Sequence, residues 1–319
     1  MLAPEGVLVV DKPSGPTSHD VVFRLRRSLR MKRIGHAGTL DPMASGVLVV
    51  LLGEATKLGP YLTAHDKKYE ARVVFGRATD TLDAQGAVVQ EAPLPTWLVD
   101  EIRAIEVSSS VAPGSRIALA LDVERARTAQ TPPAFSAIQV DGERSYDRAR
   151  RGEAVALPPR PVEVRGIDVR GAGFVEPTLA YLDVSIDVSK GYYVRSFAQD
   201  LGQTLGMPAF LAALRRTQSG PFSLAHASQL DATRDALVAA TVPLAKAVAL
   251  GLPTAQLTTE GVLRASQGKR LGDADFAGLP PTKEGSTGWL SPEGKLIAVG
   301  QWTMDKYVVQ RGFTDAGDV

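Results

Sequence analysis

Gly35-His-Ala-Gly-Thr-Leu-Asp-Pro-Met-Ala-Ser-Gly46 is the stretch on which the reading of this chain turns. Its three glycines and one proline break any helical or alternating period, and Asp41-Pro42 initiates a turn, so the segment reads as a loop. A turn aspartate and a satisfied loop histidine would account for it in isolation. The setting counts for more. Asp41 is the only charged side chain between Ile34 and Leu52, and His36 is the only imidazole there. A carboxylate isolated in this way does little for packing, whereas an ordered loop between core elements can present it to a substrate as nucleophile or base.

Core elements flank the loop. Gly6-Val-Leu-Val-Val10, stopped by Asp11-Lys-Pro13, predicts a buried strand. Thr17 and Ser18 then offer N-cap hydroxyls, and Val21, Leu25 and Leu29 recur at helical spacing, so a helix follows with one face in the core. Its other faces carry Arg24, Arg26, Arg27 and Arg30. With Lys32 and Arg33 this makes six cations in ten residues, and no acid lies between Val21 and Leu40. Such a run forgoes the i, i+4 pairing that supports a solvated charged face, and an anionic partner relieves its repulsion, so phosphate binding is the favoured reading. Beyond the loop, Val47 to Leu52 is a second buried strand.

Further along, Glu54 to His65 reads as a short helix and Lys67 to Phe75 as a strand with Tyr69, Ala71, Val73 and Phe75 on one face. A turn over Asp80 to Gly86 leads to Ala87 to Gln90, and Trp97 to Ile105 is helical. Ser108 to Ser110 and Pro113-Gly114 predict a surface excursion between Val107 and Gln130. Val162 to Val169 and Leu179 to Val188 alternate as strands. Lys190 to Arg195 leads into a helix ending near Leu205, and Pro208 to Arg215 reads as a second short helix. Ala236 to Leu250 is Ala-rich and broken by Pro243. After Pro253, one helix at Thr259 to Gln267 precedes short strands at Gly288 to Leu290, Leu296 to Val299 and Tyr307 to Val309. The change of texture divides the chain into 1–250 and a β-rich module at 251–319.

Composition narrows the function classes. The 319 residues are 44% hydrophobic and 22% charged, which excludes a mostly disordered chain. Lysine plus arginine number 36 and aspartate plus glutamate 35, so the net charge of +1 argues against a generically basic nucleic-acid coat. Segregation is more telling than the total: cations gather around the loop, while acids collect in stretches such as Asp100 to Glu106 and Asp273 to Asp275. The absence of cysteine removes disulfides, thiolate nucleophiles and cysteine-ligated metal sites, and fits a reducing cytoplasm. His19, His36, His65 and His226 never form an i, i+4 pair, so no histidine metal site is expected. Met1 to Asp11 does not read as a signal peptide, and the apolar runs are too short to span a bilayer. The loop after Val10 lacks a phosphate-cradling glycine fingerprint, which argues against a generic nucleotide-binding α/β enzyme.

Cations also sit beside aromatic rings. Lys67-Lys-Tyr69, Lys190-Gly-Tyr-Tyr-Val-Arg195, and Arg144-Ser-Tyr146 with Arg148, Arg150 and Arg151 combine charge with stacking surface; Leu214-Arg-Arg216 adds two more cations. Stacking platforms with adjacent cations hold unpaired nucleotides. Each tyrosine alone could equally be a core residue with a wet hydroxyl, but their recurrence points to RNA.

With these residues in view, the chain resembles the bacterial TruB-type tRNA pseudouridine synthases. Gly35 to Gly46 is similar to the catalytic signature of that family. Asp11 to Ser18, Gly53 to Lys57, Lys68-Tyr69, Thr79 to Asp83, Pro132 to Ala137, Ser189 to Arg195 and Leu211 to Arg216 follow in the expected order. The resemblance covers residues 5 to 225, and the tail resembles the PUA-like RNA-binding module. It implies an α+β pseudouridine synthase fold, with a mixed, largely antiparallel central sheet flanked by helices and a small C-terminal PUA-like β-barrel. It further implies isomerisation of uridine 55 in the tRNA T loop to pseudouridine, without metal or cofactor, by a cytoplasmic monomer. Asp41 would be the essential carboxylate and Arg195 its partner. Tyr69 would stack on the target base, with Tyr193 beside it as the candidate for handling the C5 proton. His36 would fill the space left by the flipped nucleotide, and Leu214 would line the pocket. Lys12, Lys190, Arg144 and the Arg24 to Arg33 run would hold the RNA backbone. Phe135 and Gln139 depart from the family's common Tyr and Lys, without touching the implied chemistry. The rival function is a non-catalytic tRNA-binding or tRNA-folding protein, against which Asp41 itself argues: phosphate binding gains nothing from a carboxylate in a basic site.

Overall fold

The computed structural model describes residues 4–313 except 137, 141, 146, 147, 149, 150, 152 and 154–156; Tyr146 and Arg150 therefore lie outside the described residues, and of Arg144 only the backbone is described. In chain order the main elements are β1 (Gly6–Lys12), α1 (Ser18–Leu29), β2 (Ile34–Ala37), β3 (Ser45–Leu52), α2 (Gly59–Thr63) and β4 (Lys67–Phe75). Next come β5 (Arg77–Thr79), β6 (Val88–Glu91), α3 (Thr96–Ser108), α4 (Arg116–Arg125), β7 (Val164–Glu176), β8 (Leu179–Val188), α5 (Val194–Thr204) and β9 (Ala209–Ser219). The chain continues with α6 (Arg234–Ala239), α7 (Leu244–Gly251), β10 (Thr254–Gln256), α8 (Thr259–Ser266), β11 (Ser286–Leu290), β12 (Leu296–Thr303) and β13 (Lys306–Gly312). They fall into two compact units, one of residues 1–41, 47–64 and 220–319, the other of 42–46 and 65–219. Among the described residues no helix is long and apolar enough to cross a membrane.

In the first unit, β2 pairs antiparallel with β3, and β1 is flanked by Ser228 in parallel and Pro243 in antiparallel register. Val7, Val9, Val49 and Leu51 bury against Ala247 and Val248 of α7 and against Leu296 and Val299. The predicted C-terminal module is a four-stranded sheet in the order β10, β11, β12, β13. Phe276, Trp289 and Tyr307 form its centre, with edge-to-face ring contacts at centroid separations of 4.9 to 6.4 Å.

The second unit is built on antiparallel strands in the order β7, β8, β4, β9. On its far side β9 runs parallel to the start of β3, where Arg215 and Arg216 face Ser45 and Gly46. Gly46 has φ +101°, and a Cβ there would lie 2.2 Å from the Arg216 carbonyl oxygen. Only glycine lets the two backbones meet so closely. Helix α5 packs on β9 and β4, and α4 packs on α5 and β7.

Three expectations need correction. Residues 208–215 are not a helix: Ala209–Ser219 is an inner strand. Two bulges, between Leu211 and Ala213 and between Arg216 and Gln218, put the buried positions at 209, 211, 214, 216 and 219, which hides the strand's alternation. Pairing with β4 then overrides the helical preference of the Ala- and Leu-rich run. The segment from Gly35 to Gly46 is not wholly loop either, because Ile34–Ala37 pairs with β3. The Val107 to Gln130 stretch holds a full helix, α4. Its N-terminus is closed by Ser115 Oγ, which accepts from the Ala118 amide at 3.2 Å, and by the Glu101 carboxylate, which accepts from the Arg116 and Ile117 amides at 2.9 Å each.

Candidate active site

The Asp41 loop is held at both ends. Before Asp41, Ser18 at the start of α1 grips Leu40: its hydroxyl donates to the Leu40 carbonyl and accepts from the Leu40 amide, both at 2.9 Å. After it, Gly46 is seated against Arg216. Ser18 is itself fixed because α1 begins in a capping box, in which Thr17 Oγ1 accepts from the Asp20 amide at 3.0 Å and the Asp20 carboxylate accepts from the Thr17 amide at 2.8 Å. His36 sits half-buried on β2 opposite Val50, and Asp41 is half-buried in the loop. Lys12 is fully buried, donating to the carbonyls of Pro13 at 3.0 Å and Pro16 at 2.8 Å, so it braces the turn between β1 and α1.

The α1 cations are of two kinds. Arg26 donates to the Ile34 carbonyl at 2.9 Å, and Arg33 pairs with Glu54 while donating to Thr56 Oγ1 at 3.0 Å, so both serve the fold. Arg24, Arg27 and Arg30 are exposed. Arg24, Arg27 and Ser28 line a cleft with Pro13, Gln229, Leu230 and Asp231.

In the second unit, β4 and β9 set Tyr69 directly opposite Arg216, one step from Leu214 opposite Ala71. Tyr69 and Leu214 are nearly buried and Arg216 is fully so. Lys67, at the head of β4, donates to the His65 carbonyl. Burial pushes its ammonium down to about 8, with the Arg216 and Lys190 charges adding to the fall and Asp66 opposing it. Lys190 lies exposed on the turn after β8.

Tyr193 is the N-cap of α5 and Arg195 lies in its first turn, only 5% exposed. The Arg195 guanidinium donates to the carbonyls of Thr81 at 3.2 Å and Phe135 at 2.8 Å, and lies 3.8 Å from the Asp83 carboxylate. The backbone it grips is tightly determined. Leu82, between Thr81 and Asp83, has φ +63°, in the left-handed region that a branched side chain enters at a cost. Thr79 Oγ1 donates to the Asp83 carbonyl and Thr81 Oγ1 to the Asp83 carboxylate, both at 2.7 Å, while the Leu211 amide donates to the Leu82 carbonyl at 3.0 Å. The motif Thr79 to Asp83 thus forms a rigid receptor for Arg195.

Behind α5 lies a set of buried ionisable groups. Glu124, 0% exposed, takes both Arg127 Nε and Nη2 at 2.8 and 2.6 Å, and Arg127 Nη1 lies 3.5 Å from the Asp200 carboxylate. Burial pushes Asp200 up to about 6 despite Arg127, with Glu124 adding to the rise. Tyr192 is pushed up by burial as well.

The structure therefore gathers Tyr69, Tyr193, Arg195, Leu214 and Lys190 on one unit, and Lys12, His36 and Asp41 on the other. Sequence reasoning passed over the roles of Asp83, Thr81 and the Phe135 carbonyl as partners of Arg195. The signal was present in the Thr79 to Asp83 block, whose two acids and two threonines have no periodic role.

Family models match end to end along most of the chain: the N-terminal domain of TruB family pseudouridylate synthase over residues 26–194, and the tRNA pseudouridylate synthase B C-terminal domain over residues 195–249. The chain is 40% identical over 300 residues to tRNA pseudouridine synthase B of Thermobifida fusca, covering 93% of this chain and 94% of that one. It is 46% identical over 228 residues to tRNA pseudouridine synthase B of Opitutus terrae, covering 72% and 86%. In three dimensions it matches a chain in the crystal structure of a Cbf5-Nop10-Gar1 complex with a TM-score of 0.68 over 98% of this chain and 85% of that one; at 24% identity this likeness concerns the fold alone. The chain belongs to the TruB family of tRNA pseudouridine synthases, isomerases of tRNA.

Proposed function

We propose that this enzyme isomerises uridine 55 in the T loop of tRNA, with Asp41 as the essential carboxylate. The observation that carries this reading is the Asp41 loop itself, pinned to Ser18 on one side and Arg216 on the other, on a segment with no second charge. In the reaction the bond from C1′ to N1 breaks, the uracil turns, C1′ joins C5, and a proton leaves C5 while N1 takes one up, so that the product is an isomer of the substrate. Neither C1′ nor C5 is accessible inside a stacked loop, so the nucleotide must flip out at a cost of a few kcal/mol. Stacking on Tyr69 and phosphate contacts offset that cost. A detached uracil must rotate without escaping, which calls for an apolar enclosure around one charge, to which Leu214 contributes. The family pattern assigns Arg195 the role of keeping Asp41 ionised, which a guanidinium does through charge-assisted hydrogen bonds. Tyr193 handles the C5 proton, and His36 occupies the place the target vacates.

Residues 1–250 form the catalytic domain in this reading and 251–319 an RNA-binding module, acting as a monomer in the cytoplasm. Lys190 and the exposed Arg24, Arg27 and Arg30 are the cations available to the RNA backbone, whereas Lys12, expected to hold it, is buried beneath the turn that it braces; the side chain of Arg144 lies outside the described residues. Incubating unmodified tRNA transcript with wild-type and Asp41→Asn protein tests the assignment. Turnover of the variant should fall by more than about 1,000-fold, the scale seen when an essential catalytic group is removed, with tRNA affinity largely kept. Full pseudouridine formation at the T loop by the variant would remove Asp41 from the mechanism.

A further inference from the structure

Helix α5 delivers Tyr193 and Arg195, yet the side chain of its N-cap residue, Tyr193, makes no capping hydrogen bond of the kind that Thr17 makes for α1. Its first turn is closed from a distance. Gln130 Oε1 accepts from the Tyr193 amide at 2.8 Å, and Gln130 Nε2 donates to the Tyr193 carbonyl at 3.1 Å. The Phe197 amide donates to the same carbonyl at 3.1 Å as the first helical bond. In a capping box the third helical residue reaches back to the N-cap amide. Here that residue is Ser196, whose hydroxyl turns away to the Thr131 carbonyl at 2.9 Å. Gln130, 63 positions earlier in the chain, takes over the task.

The neighbouring residues make this a continuous splint. Arg127 faces Asp200, Gln130 holds Tyr193, the Thr131 carbonyl receives Ser196, and the Phe135 carbonyl receives Arg195. Residues 127 to 135 thus run along the start of α5 and touch it at four points. Gln130 is 2% exposed, and a primary amide is the one uncharged side chain of this shape that donates and accepts at once. We infer that Gln130 is a positioning residue for the reaction, fixing the main chain at Tyr193 so that the Tyr193 ring and the Arg195 guanidinium keep their working orientation. The inference rests on the functional reading above, in which those two residues serve the chemistry; a displacement of about 1 Å in a reacting group is enough to cost about 100-fold in rate.

Two variants test it. Gln130→Met keeps the volume and loses both hydrogen bonds. Gln130→Glu keeps the acceptor but sets a carboxylate against the Tyr193 carbonyl, a clash relieved when the carboxyl is protonated and donates in the amide's place. Glu124, Arg127, Tyr192 and Asp200 lie around the site, so rates are compared at each pH both with wild type and with Gln130→Met, which adds no charge among them. Gln130→Met should lower kcat by about 10- to 100-fold with tRNA Kd changed less than about threefold. Gln130→Glu should approach wild type as pH falls from 8.5 to 6, which a space-filling role would not produce. Hydrogen exchange gives a readout free of activity: amides 193 to 197 should exchange at least about tenfold faster in Gln130→Met while those of α1 are unchanged. A Gln130→Met enzyme with kcat within about twofold of wild type, or unchanged exchange at Tyr193, overturns the inference. Failure of wild-type protein to form pseudouridine would instead defeat the functional reading, and the exchange measurement would still decide whether the clamp exists.

Discussion

Helix α1 and helix α5 each follow a strand and a short turn, and each carries arginine near an end, but they are started and used in opposite ways. The first begins on its own Thr17 and Asp20 and turns Arg24, Arg27 and Arg30 to solvent. The second begins on Gln130 and draws Arg195 into the interior, where two carbonyls and the Asp83 carboxylate receive it. Exposed charges at low cost suit a surface that meets a polyanion and lets it go. A buried guanidinium held by main-chain carbonyls and a carboxylate suits a fixed point against which a reaction is aligned. Number of cations is therefore a poor guide to importance here, and burial is a better one.

Perturbing the two helices should expose that contrast. Arg195→Gln leaves Asp83 buried without its counter-charge and empties two carbonyl contacts, so it should cost about 3 kcal/mol of stability in urea unfolding and reduce turnover to background. A stable, active Arg195→Gln enzyme would erase the distinction between the helices. Thr17→Ala removes a local cap and should cost about 1 kcal/mol by the same unfolding assay, with turnover on tRNA little changed. A large loss of turnover would show that the Ser18 grip on Leu40 depends on the cap and that α1 also aligns the site. The smallest effect belongs to the exposed face. Arg24, Arg27 and Arg30 replaced together by Gln should leave stability within about 0.5 kcal/mol and flatten the salt dependence of tRNA binding by about 0.7 log units per lost phosphate contact. An unchanged slope would mark this face as merely solvated.

What could be read beforehand follows the same division. Strand β4, helix α1 and the Asp41 loop were legible because their signals are local: alternation from Tyr69 to Phe75, a hydroxyl cap before an apolar period, a lone acid among glycines. The strand at Ala209–Ser219 was not, because two bulges move its buried positions out of period two, and its partner strand lies more than a hundred residues away. Helix α4 was obscured by the serines and Pro113-Gly114 before it, which mark only the connection, since Glu101 on the preceding helix supplies much of its cap. Arg195 was picked out through the family pattern. The Thr79 to Asp83 block marks part of its receptor, but the Phe135 carbonyl and the role of Gln130 depend on contacts that no spacing in the sequence encodes.

The remote cap also bears on the order in which the chain organises. A helix that caps itself can form as soon as its dozen residues leave the unfolded ensemble, whereas the first turn of α5 waits for residues 130 and 193 to meet, closing a loop of 63 residues. The β7 and β8 hairpin lies within that loop, so the contact at Tyr193 is closed across it. That closure is longer than the one that caps α1, yet much shorter than the pairing of β4 with β9, so the remote cap stands between the local and the most distant contacts of the second unit.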